Sequence, residues 1–449
     1  MLQKDSLVLG LFALLFCFFI LSYNFPETIA SEGLPVHNVN TSKDYATIQD
    51  AINAAETLDG HTIMVNSGVY HESIVINKSI SLEAQDEDIP TIDGGGTITV
   101  ITITADHVTI SGFNIRNGQA GTAILLDNSL NCCFCNNNLR DAWFGVVLRE
   151  SNYTSLIKNN IVSSSYCVLL SSSTNNAIVG NNITTLDGQG ISLSGGSSNN
   201  SIVGNTVTGS KRAGIYLASC QYNLVAENNL FNNSYALYLT DSSNNTIYHN
   251  NCVSTVLDIF IRNILNYTTN IWDNGYPSGG NYYSNYAGGD RHGGPYQNET
   301  GGDGIGDVSY KIESDTQDNY PLMGVYHSFN VTSMYNVQII SNSTISNLNY
   351  NGTAVSFYIS GDDGSIGFCR ICIPTVLING TYQVFINGTK IVYNLLSCTN
   401  STHSYLYFIY NHSTQSVVIV PEFSHVLFIL VFLVGISTIK IYKRGNYSY

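Results

Sequence analysis

Between Phe113 and Asn285, apolar and polar residues alternate in short runs that recur every 22 to 24 residues. Each unit carries an Asn-Asn-apolar step or a close variant: Asn137-Asn138-Leu139, Asn159-Asn160-Ile161, Asn181-Asn182-Ile183, Asn205-Thr206-Val207, Asn228-Asn229-Leu230 and Asn250-Asn251-Cys252. A second apolar alternation follows at Val146/Leu148, Val168/Leu170, Ile191/Leu193, Ile215/Leu217, Leu237/Leu239 and Ile259/Ile261. A third apolar position falls at Phe134, Leu156, Ile178, Ile202, Val225, Ile247 and Ile271. Runs this short do not make a helical pair. Three strands per period, separated by Asn, Ser and Gly, predict an all-β parallel solenoid. Inward residues then stack on their counterparts one coil away, about 4.8 Å along the axis. The Asn column reads as a structural corner, because Asn tolerates left-handed backbone and stacked amides bond along the axis. Cys252, at an inward position, reads as core filler.

Upstream, Tyr45 to Ala55 places Ile48, Ile52 and Ala55 on one helical face just before the strand-like run Thr62-Ile63-Met64-Val65. A short amphipathic helix there predicts a cap, since an uncovered terminal coil offers its edge to other chains. The segments from Gly68 to Ile76, Ile80 to Leu82 and Thr91 to Gly96 read as the first, less regular coils. The run from Ala46 to Ala55, the Ser67-Gly68-Val69-Tyr70 turn, the Asn77-Lys78-Ser79-Ile80 step and the Ile92-Asp93-Gly94-Gly95-Gly96 ending resemble the opening of right-handed parallel β-helix proteins of the pectin-lyase-like superfold. The repeats resemble the NosD-like group and its carbohydrate-binding/sugar-hydrolase (CASH) repeat. Gly280-Asn281-Tyr282-Tyr283-Ser284-Asn285-Tyr286, with Gly302 to Asp307 and Asp318-Asn319-Tyr320-Pro321-Leu322, resembles the segment that closes the helix in archaeal members. The resemblance covers roughly residues 40 to 323 and implies a right-handed coil. Two departures stand out: Tyr283 occupies a position where relatives usually carry Trp, and a Gly-rich insertion from Arg291 to Gly301 separates the acidic residues.

After Pro321 the repeat stops, and alternating strands with turn signals follow: Asn336 to Ile340, Ala354 to Ile359, Tyr382 to Ile386, Lys390 to Leu395, Tyr405 to Tyr410 and Ser416 to Val420. Gly361-Asp362-Asp363-Gly364 and Asn387-Gly388 read as hairpin turns. This spacing predicts a small β-sandwich over residues 326–420, with the role of a stalk. At the two ends the pattern changes again. Lys4 and the apolar run from Leu7 to Leu21 read as a signal peptide over residues 1–30. Pro421-Glu422-Phe423, the apolar run from Val426 to Ile439 and then Lys440, Lys443 and Arg444 read as a transmembrane anchor with a basic cytoplasmic tail over residues 421–449. Pro-Glu-Phe before such a span resembles the C-terminal anchoring signals of archaeal surface proteins. The solenoid segment between signal and stalk is residues 31–325.

Composition agrees with an exterior location. Asn-x-Ser/Thr sequons abound, among them Asn77, Asn152, Asn182, Asn199, Asn232, Asn244, Asn266, Asn330, Asn342, Asn379, Asn387 and Asn400. A net charge of −15 excludes a nucleic-acid partner, because no basic stripe exists to neutralise phosphates. Nine cysteines remain outside the signal, an odd number. Local pairing of Cys132 with Cys135, or of Cys398 with Cys369 or Cys372, is favoured over a zinc site, for which a lone CxxC is insufficient.

Candidate chemistry concentrates at the corner after the first strand of each coil. Counting from the aligned apolar positions gives Trp143/Phe144, Ser165/Tyr166, Asp187/Gly188, Lys211/Arg212 and Ser234/Tyr235 in successive coils. One column of Trp143, Tyr166, Asp187, Lys211, Arg212 and Tyr235 would stack on the rings of a polysaccharide or surface glycan and bond its hydroxyls or uronates. A catalytic role for Asp187, Lys211 and Arg212, as in a lyase or hydrolase, is the weaker alternative, because the coils offer only scattered acids. A structural envelope role is the third. Asp290, Asp303 and Asp307 are oxygen donors for a Ca²⁺ site, although the loop lacks the full alternating ligand set. Copper is disfavoured: soft sites need grouped sulfur or imidazole, whereas only 4 Met occur and His61, His71, His107, His249 and His292 are scattered.

Overall fold

The computed structural model describes residues 35–85, 89–262, 269–313 and 315–422. They fall into two compact units. One is built on the chain up to Gly289 plus Ile305–Leu322, the other on Asp290–Gly304 plus the chain from Met323 onward. The expected signal peptide and the apolar run Val426 to Ile439 lie outside the described residues. Among those described, no helix is long and apolar enough to cross a membrane.

The first unit is a parallel β-solenoid with one 11-stranded and one 15-stranded sheet. The predicted apolar columns stack in register except at Ile271, which is 53% exposed and bridges Thr246 while its neighbour Trp272 is buried in the core. Ile110, Phe134, Leu156, Ile178, Ile202, Val225 and Ile247 form the first. Leu139, Ile161, Ile183, Val207, Leu230 and Cys252 form the second. Val146, Val168, Ile191, Ile215, Leu237 and Ile259 lead the third. Nearly all are fully buried, each worth about 2 kcal/mol of transfer free energy. The capping helix is Ile48–Asn53, shorter than the Tyr45 to Ala55 run. Its start is fixed by the Thr47 hydroxyl, which accepts from Asp50 N, and by Glu72, whose carboxylate accepts from Ile48 N and Gln49 N at 3.0 and 2.9 Å. At its end the Lys78 ammonium donates to Ile52 O and Ala54 O at 2.7 and 2.9 Å, so the last carbonyls are satisfied without another turn.

The corners divide labour in a way that corrects the simple picture of the Asn column. The left-handed residue is the one before each ladder Asn: Asn136, Lys158, Gly180, Gly204, Glu227 and His249. The ladder residues Asn137, Asn159, Asn181, Asn205, Asn228 and Asn250 are buried, and their amides run along the axis. From each of these, backbone N and Nδ2 both donate to Oδ1 of the Asn one coil further on, at 2.9–3.2 Å. A second, unforeseen ladder runs through Asn176, Asn200, Asn223, Asn245 and Asn270 with the same bonding. There too the left-handed residue comes just before, at Asn175, Asn199, Tyr222 and Asn244.

The first ladder ends on a carboxylate. Asn250 donates to Asn281, and Asn281 N donates to Asp318 Oδ2 at 2.7 Å. A carboxylate only accepts, so a chain of donors all pointing one way finishes there without an orphaned N–H. Gly280 makes the room, because a Cβ there would lie 2.0 Å from Asp318 Oδ1. Tyr283 is buried at this closing segment, stacks on Tyr310 with ring centroids 3.9 Å apart and donates its hydroxyl to Asp318 Oδ2 at 3.2 Å.

The second unit holds two five-stranded sheets. One contains Val325–Asn330, Asn336–Ser341, Ile366–Pro374, His403–Asn411 and Asn394–Leu395; the other contains Thr344–Tyr350, Val355–Ser360, Gln415–Pro421, Tyr382–Ile386 and Thr389–Ile391. Val337, Ile371 and Phe408 from the first meet Phe357, Val384 and Val417 from the second in one core. Asn387-Gly388 is the predicted tight turn, with φ of 49° and 77°. Gly361 to Gly364 is not a hairpin. It joins strands in different sheets, and the His412 ring fills the space where Cβ atoms of Gly361 and Gly367 would stand. The run Lys390 to Leu395 likewise splits between the two sheets. The expected disulfides are not formed: Cys132, Cys369 and Cys372 keep free thiols. Cys369 points into the core while Cys372, three residues on, faces the other side of the same strand.

Candidate functional site

The corner singled out by the sequence is a bend within strands. Asn138–Arg149, Asn160–Ser171, Asn229–Thr240 and Asn251–Arg262 each run 12 residues through it without interruption. In the two intervening coils the strand breaks instead, into Asn182–Thr185 with Gln189–Ser194 and Thr206–Thr208 with Ala213–Ala218. Gly188 permits the first break, since a Cβ there would sit 1.8 Å from Ser165 O. The extra residues of these longer coils shift the register. Phe144 pairs with Tyr166 and Tyr166 with Gln189; two coils later Ala213 pairs with Tyr235 and Tyr235 with Leu257.

Trp143 is 48% exposed, and the ring stacked on Tyr166 is its neighbour Phe144, with centroids 5.5 Å apart and planes 13° off parallel. Asp187 and Lys211 form an ion pair at 2.6 Å, with side chains 72% and 71% exposed. Arg212 is also exposed, and its backbone N donates to Ser210 Oγ at 3.1 Å. Tyr235 belongs to a different group. It packs 5.8 Å from Tyr238 and 5.1 Å from Phe260, while Tyr238 lies 4.8 Å from Phe260 and 5.0 Å from Tyr216, both edge-on. Sequence reading missed Tyr216, Tyr238 and Phe260 because they hide between core residues, as in Ile215-Tyr216-Leu217. Their signal was the middle residue of each third-column alternation, which goes from Ser192 to Tyr216, Tyr238 and Phe260 in register. Four rings thus gather outside the last coils, and two more stack three coils earlier.

Among the coil acids, Asp258 is the buried one near this cluster. It accepts from Ser254 N at 2.9 Å and from the Ser284 hydroxyl at 3.0 Å, and burial raises its pKa above the ordinary carboxylate range.

The three candidate calcium donors are distributed between the units, with Asp290 and Asp303 in the second and Asp307 in the first. Asp290 accepts from Asp303 N and Gly304 N, both at 2.8 Å, and so closes its own loop. Asp303 and Arg370, 1% and 2% exposed, form an ion pair at 3.5 Å; the same Arg370 Nη1 donates to Asp303 O at 2.6 Å, and the guanidinium lies 5.3 Å from the Tyr405 ring centroid. Among the described residues, no group of three or more His, Cys, Asp or Glu is placed to hold a metal ion.

The chain is 39% identical over 108 residues to a cell surface glycoprotein of Methanothermus fervidus; the match covers 24% of this chain and 18% of that relative, so the chain spans less than a fifth of the relative's length. Solved structures with similar folds include the Dettilon tailspike protein gp208, at 13% identity and a TM-score of 0.38, covering 79% of this chain and 86% of the other. The alginate lyase from Paenibacillus sp. str. FPU-7 matches at 14% identity and a TM-score of 0.29, covering 50% and 94%. Scores this low decide nothing about chemistry. Residues 52–288 match the family model described as periplasmic copper-binding protein (NosD). The residues in that stretch do not fit copper. Among its described residues no three His, Cys, Asp or Glu are grouped to hold a metal ion, and Met64 is its sole methionine. The matched stretch is more than half of the 449 residues, and the chain belongs to the NosD family.

Proposed function

We propose that this is a cell-surface protein whose solenoid presents a carbohydrate-binding flank along the outside of its bend. One observation carries the reading: the gathered rings of Tyr216, Tyr235, Tyr238 and Phe260, with the Phe144/Tyr166 stack on the same bend. Aromatic faces stack on the C–H faces of sugars, and tyrosine hydroxyls at their rims bond sugar hydroxyls. A polysaccharide or surface glycan lying along the axis meets a new register position every ~4.8 Å. Trp143, Asp187, Lys211 and Arg212 flank these rings and add an exposed indole and charge. The relative named a cell surface glycoprotein supports the location. A right-handed coil, secretion through residues 1–30, a stalk over 326–420 and a tether from 421–449 complete the picture.

Polysaccharide cleavage by Asp187, Lys211 and Arg212 is the alternative. The mutual ion pair of Asp187 and Lys211 in solvent favours a surface-charge role over it. A Ca²⁺ role for Asp290, Asp303 and Asp307 is tested alongside. The experiment is a glycan-array screen of residues 31–420, with and without calcium, and an assay of every hit for new reducing ends or unsaturated products. Binding without product supports the flank; product formation moves the reading to an enzyme. No binding to any glycan leaves a structural envelope protein.

A further inference from the structure

We propose that Asn199 and Asn244 carry N-linked glycans, that Tyr222 between them is the platform for the innermost sugars, and that Asn152, Asn182 and Asn342 stay bare. All five asparagines stand in intact sequons: Asn199-Asn200-Ser201, Asn244-Asn245-Thr246, Asn152-Tyr153-Thr154, Asn182-Ile183-Thr184 and Asn342-Ser343-Thr344. Sequence treats them as equals. Their surroundings do not.

Asn199 and Asn244 occupy the left-handed corner that precedes the second Asn ladder, at φ of 56° and 57°, and both are exposed. The backbone is fixed at each, with Asn199 N donating to Gln221 O at 3.3 Å and Asn244 N to Thr269 O at 2.6 Å. The side chains are left projecting, and Asn244 Nδ2 makes only a 3.5 Å contact with Ser243 Oγ. The sequons at this corner are spelled by three separate structural preferences: a left-handed Asn, a buried ladder Asn, and a Ser or Thr opening the next strand. They place an acceptor amide two coils apart, about 10 Å, along one edge. The coil between them has Tyr222 at the same corner position, 58% exposed and also left-handed. A tyrosine gains nothing from that backbone conformation and buries little there. With a glycan amide one coil away on either side, its ring is placed for the first sugars to stack on.

The other three amides are committed. Asn152 Oδ1 accepts from Thr174 N and Thr174 Oγ1 at 2.6 and 2.9 Å. Asn182 Nδ2 donates to Asn160 Oδ1 at 3.2 Å within a ladder of outward amides along the sheet. Asn342 bridges a neighbouring strand with both ends, Nδ2 donating to Ile366 O at 3.0 Å and Oδ1 accepting from Phe368 N at 2.9 Å. Glycosyl transfer forms a bond from sugar C1 to Nδ2 while the C1–O bond of a glycosyl phosphate donor breaks; the phosphate leaves with the electron pair and the amide gives up one proton. Only an amide free to turn toward such a donor reacts.

The test is glycopeptide mass spectrometry on the full chain made in a cell that glycosylates its exported proteins. Occupancy at Asn199 and Asn244 at least five-fold above that at Asn152, Asn182 and Asn342 is the expected result. Bare Asn199 and Asn244, or equal occupancy at Asn182 and Asn342, overturns the assignment. For the platform, Tyr222→Ala is compared with wild type before and after enzymatic or chemical removal of glycans. The substitution is expected to lower Tm by several degrees in the glycosylated protein and by less than one degree in the stripped protein. An equal effect in both states sinks the role of Tyr222.

Discussion

At the residue scale, the molecule is governed by amides and one carboxylate. Asn205 accepts from Asn181 N and Nδ2 and donates to Ile178 O and to Asn228, all away from water. Asn205→Ala orphans those groups and is expected to cost about 3 kcal/mol or more, whereas Asn182→Ala, on the exposed face, costs below about 1 kcal/mol. Urea unfolding of the two variants checks the contrast. Asp318 gives a pH prediction. Burial is the largest influence on its carboxyl and raises its pKa to about 7, outweighing the bonds from Asn281 N and Tyr320 N that favour the charged form. The unfolded chain loses this proton near the ordinary value of about 3.9, and the folded chain near 7. In that window the native state holds more protons, so the Asp318 contribution to stability is present below about pH 4 and is lost as pH rises through 7, by on the order of 4 kcal/mol. Asp93, held low first by the Asn117 amide, acts with the opposite sign. The measurement is therefore the difference in pH slope between wild type and Asp318→Asn, which is expected to be flatter. The Asn columns were legible because their period is strict. Which Asn bends the chain and which bonds along the axis was not, since Asn136-Asn137 and Asn175-Asn176 spell two roles with one letter.

At the scale of elements, the coils were readable and the bend was not. Three apolar columns with fixed spacing admit one stacking, and the columns closed as read up to Ile247; beyond it Trp272 is the buried residue and Ile271 is exposed. Counting forward set Phe144 opposite Tyr166, as observed, but the added residues of the next two coils move the register, so Tyr166 pairs with Gln189 rather than Gly188 and Tyr235 with Ala213 rather than Arg212. Gly188→Ala drives a Cβ into Ser165 O and is expected to lower Tm by more than five degrees in calorimetry, whereas Gly196→Ala, with open space around it, costs about 1 kcal/mol from its positive φ alone. The turn from Gly361 to Gly364 misled for a similar reason: Gly and Asp mark a chain reversal but not which sheet receives the next strand. His412, far along the chain, decides that.

At the scale of the whole molecule, the chain builds two units and passes between them more than once, since Asp290–Gly304 belongs to the second while Ile305–Leu322 belongs to the first. Within the second unit, Arg370 neutralises Asp303 in a nearly dry setting. Arg370→Ala takes the guanidinium away from a buried carboxylate and is expected to cost about 3–5 kcal/mol, read as a loss of denaturant resistance in tyrosine fluorescence. Tyr166 and Tyr235 at the bend followed from counting residues, but the outward rings between core positions needed the strand register. The measurement that tests the central claim most directly is the affinity of a glycan hit for residues 31–420 as wild type and as Tyr238→Ala and Phe260→Ala, with the fold checked by unchanged Tm. The flank predicts at least a ten-fold loss in each variant, about 1.4 kcal/mol or more. Unchanged affinity in both would contradict it.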